Sequence, residues 1–221
     1  MYRVEHIDPS TTAMIVVDMQ NDFVAPGAPM QSPAGYAMLP NLKQALACCR
    51  EHGIPVIYTA HVHRPGGFDQ GLLAHALAIG RGEALVVGSP GVAIFPEIAP
   101  HGDEIVIPKH RFSAFYGTDL EIILRGLGVT TVVISGVTTE NCCHATARDA
   151  FFRDFQVVFL ADATATVDYP DLGYGSLSAD EVHRATLVIL ARDTADVMTT
   201  ESFIARVTAA SGVEPLLVAV G

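Results

Sequence analysis

The chain has 221 residues, half of them hydrophobic, and its 13 basic and 24 acidic side chains give a net charge of −11. A chain of this size and composition can bury a sizeable core without disulfides or metals. The acidic balance, without any run of Lys or Arg, argues against nucleic acid or an anionic membrane as a partner, because such binding depends on neutralising phosphates.

Six short apolar, β-branched runs alternate with longer helix-like stretches, which is typical of a parallel sheet covered by helices on both faces. The predicted strands are 13–17, 54–59, 104–107, 130–135, 157–160 and 195–198. We therefore predict an α/β fold: a single doubly wound, Rossmann-like domain of three layers spanning 1–221, with a mainly parallel six-stranded sheet.

Helices are predicted between and after these strands, over 39–52, 118–127, 141–154, 178–192 and 200–210. Gly53 and Gly128 close the first two. Ser178, followed three residues later by Glu181, forms a capping-box pattern. The final stretch, 212–221, is apolar and is a candidate oligomer contact.

The sequence carries no sign of export or membrane insertion. No apolar run approaches the roughly 20 residues of a membrane helix, and the first residues lack the basic and then apolar pattern of a secretory signal. The four cysteines occur as two adjacent pairs, Cys48-Cys49 and Cys142-Cys143, which is neither a disulfide framework nor metal-binding spacing. We expect reduced thiols and a cytoplasmic protein.

Chemically active side chains follow four of the predicted strands. They are Asp18 after the first strand, His61 and His63 after the second, Lys109 after the third and the segment 136–142 after the fourth. In open parallel sheets, ligands bind outside the carboxyl ends of the strands. The topology therefore predicts that an acid, a base and a thiol converge at one edge of the sheet.

The segment 133–150 reads as strand, tight turn and helix, with Cys142 or Cys143 in the first helical turn. There the free N–H groups and the helix dipole favour a thiolate and can hold an oxyanion, which suits acyl transfer. A cysteine is nevertheless often a small core residue, and only one of two adjacent helical residues can face the crevice. The pattern alone does not choose between them, whereas Cys48-Cys49 in mid-helix is interpreted as packing.

Asp18 and Lys109 also have alternative interpretations that involve no catalysis. An aspartate after a strand often caps a turn, and a lysine is usually exposed to solvent. The motifs around them nevertheless resemble, in order along residues 10–200, those of the isochorismatase-like cysteine hydrolases. They are Val17-Asp18-Met19-Gln20-Asn21-Asp22-Phe23, Pro108-Lys109, Gly136 to Cys142, and Thr146 to Ala150. That superfamily includes nicotinamidases, N-carbamoylsarcosine amidohydrolase and ureide hydrolases.

The resemblance implies that Cys142, six residues after Gly136, is the nucleophile. It implies that Asp18 takes the thiol proton and later delivers it to the leaving amine. The positive charge of Lys109 would favour both the carboxylate and the thiolate. Cys143 is then assigned to packing.

The resemblance also implies a cis peptide bond between Val137 and Thr138, with the backbone N–H groups of Thr138 and Cys142 as the oxyanion hole. The implied activity is a cysteine-dependent amidohydrolase that cleaves a C–N bond of a small amide, carbamoyl or ureide substrate through a thioester. We expect no cofactor and no metal for this chemistry. The partners expected are a small-molecule substrate and further copies of the chain, in a homodimer or homotetramer.

A zinc site is considered because the nicotinamidase branch binds metal through Asp-x-His and a later histidine. Here the corresponding positions are His61 and His63, and the aspartate is missing. Two such histidines bind zinc only with a third ligand, for which His75 is a candidate. The incomplete ligand set favours the metal-independent ureide and carbamoyl hydrolases over nicotinamidase.

A substrate pocket is predicted from further residues near the strand ends. His61 and His63 are candidates for its lining, and Arg64 could bind a substrate carboxylate or lie on a solvated loop. The aromatic candidates, which could equally belong to the core, are Phe23, Phe112 and Phe115.

Two other functions compete with an amidohydrolase. An isochorismatase, which hydrolyses a vinyl ether on the same fold, lacks the catalytic thiol, so Cys142 counts against it. A non-catalytic binding module or thiol redox sensor is the other alternative. No GxGxxG follows the first strand, and Cys143 is poorly placed as a resolving thiol, so neither form of this alternative is favoured.

Overall fold

A computed structural model describes residues 2–76 and 84–211. Six strands form one sheet in the order β3-β2-β1-β4-β5-β6, and every neighbouring pair is parallel. The strands are β1 Thr12–Val17, β2 Val56–His61, β3 Ile105–Lys109, β4 Thr131–Val137, β5 Gln156–Ala165 and β6 Asp196–Met198. This is the strand order of a doubly wound dinucleotide-type sheet, so the predicted fold class is confirmed.

The helices pack on both faces of the sheet. They are α1 Asn21–Val24, α2 Pro33–Ala37, α3 Leu39–Glu51, α4 Leu73–Ala76, α5 Leu120–Gly126, α6 His144–Phe151, α7 Ala179–Asp193 and α8 Thr200–Ser211. The capping box predicted at the start of α7 is present, with Ser178 and Glu181 bonded reciprocally. The helix predicted from residue 141 instead begins as a π-helical turn over Thr139–Cys143, directly before α6.

Two hydrophobic cores lie on the two faces of the sheet, and β1 contributes to both. Met14 and Val16 of β1 belong to the core that includes α3 and α8, whereas Ile15 and Val17 belong to the core on the opposite face. All six residues of β1 are buried, as expected for a strand covered on both sides. The first strand is therefore central, and its carboxyl end opens at the middle of the sheet edge.

Gly136 brings the ends of β1 and β4 together. It pairs with Val17 in the register of the two strands and has a φ of 110°. A Cβ at this position would lie 2.0 Å from the Val17 carbonyl oxygen, so only glycine fits. This close approach places the residue after β1 beside the turn after β4.

Within the ranges 2–76 and 84–211, no helix has the length and apolar character needed to cross a membrane. The apolar stretch 212–221, predicted as an oligomer contact, lies outside the described residues.

Candidate active site

Three side chains predicted to act together meet at the carboxyl edge of the sheet. The Lys109 ammonium lies 2.7 Å from Asp18 Oδ2 and 3.3 Å from the Cys142 sulfur. The Lys109 and Asp18 side chains are fully buried, and Cys142 is only 5% exposed. The sequence thus identified a cluster that the fold assembles from the ends of β1, β3 and β4.

Asp18 is held by a neighbouring strand. Its φ of 50° is unusual for a residue other than glycine and turns the side chain sharply after β1. Its backbone N–H donates to Thr59 Oγ1 at 3.1 Å, and the Thr59 hydroxyl donates to Asp18 Oδ1 at 2.7 Å. Oδ2 is left to face Lys109, so one carboxylate oxygen is fixed structurally and the other is available for chemistry.

Lys109 is surrounded by hydrogen-bond acceptors. Besides Asp18 and Cys142, the ammonium donates to the Arg111 carbonyl at 2.9 Å and lies 3.4 Å from His61 Nδ1. Burial alone would lower the pKa of Lys109, but Asp18 and Cys142 outweigh it and raise the pKa above its ordinary value. A positive charge is therefore favoured at the position where Lys109 contacts both the carboxylate and the sulfur.

The pKa of Cys142 corrects one sequence expectation. Position at a helix start predicted a lowered pKa, but burial raises the pKa of this thiol, and the nearby Asp18 carboxylate adds to the rise. Lys109 opposes both effects. The physical reason is that burial is the largest influence on this thiol and favours its uncharged form, which the charge of Lys109 offsets only in part.

The turn that carries Cys142 is tied at several points. The Val137–Thr138 peptide bond is cis, as the resemblance implied. Glu140 Oε1 accepts hydrogen bonds from the Thr138 hydroxyl at 2.8 Å, from Asn141 Nδ2 at 3.0 Å and from the Tyr169 hydroxyl at 2.8 Å. Cys143 lies in the core, with its sulfur 3.8 Å from the Ser135 carbonyl.

A cavity of about 400 Å³ opens beside Cys142. Its lining includes three of the predicted pocket residues, Phe23, His61 and Phe112, together with Thr138. The other lining residues are Ala28, Pro29, Met30, Gln31, Leu85, Asn141 and Val167. The cavity lies at the topological switch point between β1 and β4, where doubly wound sheets bind ligands.

The structure does not bring three other predicted pocket residues to the cavity wall. His63 lies behind His61, with the two Nε2 atoms 3.1 Å apart, and its Nδ1 lies 3.5 Å from Asp69. The Arg64 side chain is 58% exposed and pairs with the same Asp69. Phe115 packs in the core against Phe155, with ring centroids 6.0 Å apart.

Several lining residues were not predicted from the sequence. Ala28 to Gln31 belong to an irregular loop after α1, and Leu85 and Val167 lie in loops that carry no motif. Asn141 is the exception, because its position one residue before Cys142 places it at the same turn. The other lining residues had no sequence signal, since distant loops meet there only through the fold.

Two motif residues after β1 hold the loop that carries Leu85. Asp22 Oδ2 accepts the Leu85 backbone N–H at 2.7 Å. Gln20 Nε2 donates to the His61 carbonyl at 3.0 Å and to the Val92 carbonyl at 3.1 Å. The polar motif that follows Asp18 therefore builds one wall of the cavity.

In the described ranges, two groups of side chains have ligand atoms close enough together to coordinate a metal ion. One is Asp18, His61 and Cys142, and the other is His63, Asp69 and His110. The Lys109 ammonium contacts all three members of the first group, so a positive charge already lies among them. His75, considered from the sequence as a third ligand, belongs to neither group.

His61 is an uncharged member of the cavity wall. Burial lowers its pKa well below the ordinary value, and the adjacent Lys109 ammonium lowers it further. Its two ring nitrogens face His63 and Lys109, so at neutral pH the imidazole contributes a ring surface to the cavity without adding a charge.

The sheet is doubly wound, and an acid, a lysine and a thiol meet at its switch point. This combination of fold and site is typical of a class of hydrolases. The chain belongs to the isochorismatase family, whose Isochorismatase domain matches residues 12–202. This confirms the resemblance found in the sequence.

Named relatives cover most of the chain. It is 33% identical over 194 residues to nicotinamidase 3 of Arabidopsis thaliana, covering 86% of each protein. It is 35% identical over 177 residues to the ureidoacrylate amidohydrolase RutB of Methylobacterium radiotolerans, covering 72% of this chain and 68% of that protein. The structure of a cysteine hydrolase from Pseudomonas syringae pv. phaseolicola matches with a TM-score of 0.89 and 34% identity, covering 92% of this chain and 95% of that one.

Proposed function

We propose that the protein is a cysteine-dependent amidohydrolase that cleaves a C–N bond of a small amide, carbamoyl or ureide substrate. The observation that carries the proposal is the buried contact of one ammonium, Lys109, with both the Asp18 carboxylate and the Cys142 sulfur beside a cavity. Nicotinamidase 3 and ureidoacrylate amidohydrolase, both similar to this chain, are named for hydrolysis of amide bonds. The similar solved structure is named a cysteine hydrolase.

The first half-reaction acylates the thiol. Asp18 takes the proton of Cys142 as the sulfur attacks the substrate carbonyl carbon, and the carbonyl electron pair moves to oxygen. The backbone N–H groups of Thr138 and Cys142 stabilise that oxyanion. Protonated Asp18 then gives its proton to the leaving nitrogen, the C–N bond breaks, and ammonia or an amine departs.

The second half-reaction releases the acid. Asp18, again a carboxylate, takes a proton from water as the water oxygen attacks the thioester carbonyl. The C–S bond breaks, and the proton held by Asp18 returns to the Cys142 sulfur. Lys109 stays protonated throughout and lowers the free energy of the thiolate, which burial alone would disfavour.

The adjacent cysteines provide a matched test of the nucleophile. We expect Cys142→Ala to abolish ammonia release from a panel of nicotinamide, biuret, N-carbamoyl amino acids, ureidoacrylate-like compounds and maleamate. Cys143→Ala removes a buried sulfur one residue away and is expected to retain most of the activity. Mass spectrometry of the wild-type protein during turnover should show one acyl group on Cys142.

The same experiments separate the competing functions. Loss of activity in Cys143→Ala but not in Cys142→Ala would move the nucleophile by one residue. Activity that survives complete alkylation of the thiols would favour an isochorismatase-type reaction. The absence of both turnover and an acyl adduct with every amide would favour a binding module or redox sensor.

A further inference from the structure

The cavity beside Cys142 has walls that are largely apolar. The apolar lining side chains are Phe23, Ala28, Pro29, Met30, Leu85, Phe112 and Val167. The polar lining side chains, Gln31, His61, Thr138 and Asn141, are uncharged at neutral pH. Among the described residues that line the cavity, none is Lys, Arg, Asp or Glu.

Within residues 2–76 and 84–211, the cationic side chains near the cavity already pair with other groups of the protein. Lys109 pairs with Asp18 at 2.7 Å. Arg64 is exposed and pairs with Asp69, and Arg111 donates to the backbone carbonyls of Asp69 and His110. A carboxylate that gives up hydration against the apolar walls would therefore gain no cationic partner among the residues in the described ranges, which is unfavourable.

The size of the cavity adds a second constraint. A volume of about 400 Å³ lies in the range of pockets that bind small organic ligands and exceeds what a urea-sized molecule fills. Apolar walls stabilise a ligand by about fourfold for each methylene they bury. An acyl group that carries an apolar chain or ring therefore fits the space next to the thiol.

From these features, we propose that the substrate is an uncharged primary amide with an apolar acyl group, rather than an amide that carries a carboxylate. This inference rests on the amidohydrolase function proposed above and specifies its substrate class. It excludes carboxylate-bearing substrates such as N-carbamoyl amino acids and ureidoacrylate-like compounds, for which Arg64 had been a sequence candidate. The product is ammonia together with an apolar carboxylic acid, whose new charge disfavours its retention in the cavity.

Two matched amides test the proposal directly. Hexanamide and adipamate, the monoamide of adipic acid, differ only in that a terminal methyl is replaced by a carboxylate. We expect kcat/KM for ammonia release to be about 100-fold higher for hexanamide, because the carboxylate lacks a charge-assisted hydrogen bond. From acetamide to hexanamide, kcat/KM is expected to rise by about fourfold per methylene until the cavity is filled.

A cation placed in the cavity wall should change this preference. Met30→Arg is expected to raise kcat/KM for adipamate by about tenfold and to lower it for hexanamide, since arginine pairs with carboxylates. Ile122→Arg is the matched control, because Ile122 is exposed on α5 and does not line the cavity. That variant adds the same charge and should leave both rates unchanged.

The outcomes distinguish the two proposals. Equal or faster hydrolysis of adipamate by the wild-type protein would overturn the substrate class alone. No ammonia from any amide and no acyl group on Cys142 would overturn the amidohydrolase function itself.

Discussion

Asp18, at the residue scale, has two roles that can be separated by mutation. One carboxylate oxygen accepts the Thr59 hydroxyl, and the other faces Lys109. Asp18→Asn keeps the size of the side chain and the hydrogen bond from Thr59, but it removes the proposed proton acceptor for the Cys142 thiol. Because general acid–base catalysis contributes about 10²–10⁴-fold, we expect kcat/KM for an accepted amide to fall by that factor.

The control for Asp18→Asn must show whether an activity loss comes from misfolding or from the loss of one negative charge alone. Asp149→Asn makes the same change on the surface of α6, where Asp149 pairs with Arg153, and it should leave kcat/KM near the wild-type value. Circular dichroism of both variants would verify the fold. An Asp18→Asn protein that kept more than a tenth of the activity would assign the proton transfer to another group.

The positions of the candidate catalytic residues could be predicted because the sequence shows where the strands end. The pKa of Cys142 could not be predicted in the same way. Asp18 and Lys109 follow apolar runs, and parallel strands bring such positions together. The raised pKa of the Cys142 thiol depends on burial and on a carboxylate from another strand. Neither quantity is encoded in the residues around the cysteine, so a local argument from the helix terminus gave the wrong direction.

At the scale of elements, helix α7 contacts the turn that carries Cys142, the proposed nucleophile. His183 Nε2 lies 2.9 Å from the Ala161 carbonyl, which can only accept, so this nitrogen carries the proton. The other ring nitrogen, Nδ1, therefore accepts from the Thr139 hydroxyl at 2.9 Å. Thr139 begins the π-helical turn, so α7 is connected through one histidine to the backbone of Cys142.

A double-mutant cycle measures this connection. His183→Ala and Thr139→Val each remove one partner, and we expect the two to couple by about 1 kcal/mol in the free energy of unfolding. We also expect kcat to fall more than KM rises in each single variant, because the turn rather than the cavity wall is loosened. Additive effects in the double variant, or unchanged kcat, would show that α7 does not position the turn.

The helices and strands were predicted well because local interactions specify them. The contacts between these elements were predicted poorly because they depend on long-range packing. The capping box of Ser178 and Glu181 located the start of α7 because it is a local interaction. The contact between His183 and Thr139 depends on how α7 packs against the end of β4. Loop residues such as Met30 and Leu85 likewise reach the cavity only through long-range packing, which no local pattern specifies.

At the scale of the whole molecule, burial shifts several titrating groups in ways that limit stability on both sides of neutrality. Burial lowers the pKa values of His61, His63, His144 and His183. It raises the pKa values of the thiols of Cys48, Cys49, Cys142 and Cys143. In both cases the folded state favours the uncharged form more than the unfolded state does.

The resulting pH dependence has a defined sign on each side. A histidine with a lowered pKa contributes its full stability above the unfolded value of about 6.5, and that stability is lost as pH falls below it. A thiol with a raised pKa contributes fully below the unfolded value of about 8.5, and that stability is lost as pH rises above it. We therefore expect the free energy of unfolding to be greatest between about pH 6.5 and 8.5.

Urea unfolding across pH 5 to 10 tests this profile, and one histidine isolates its cause. Each group whose pKa differs between the folded and unfolded states adds a slope of at most about 1.4 kcal/mol per pH unit on its own side, and less where the group is partly exposed. His183, which is half-buried, has a lowered pKa, so His183→Gln should flatten the acid side of the profile. His6→Gln, at an exposed position, should not. The net charge of −11 acts in the opposite direction on acidification, because self-repulsion weakens as carboxylates are protonated. Added salt screens that surface repulsion but acts much less on buried groups. The loss of unfolding free energy on the acid side should therefore persist at 0.15 M salt, about the physiological ionic strength. An unfolding free energy that stays constant from pH 7 to 5.5 would contradict the role assigned to the histidines with lowered pKa values.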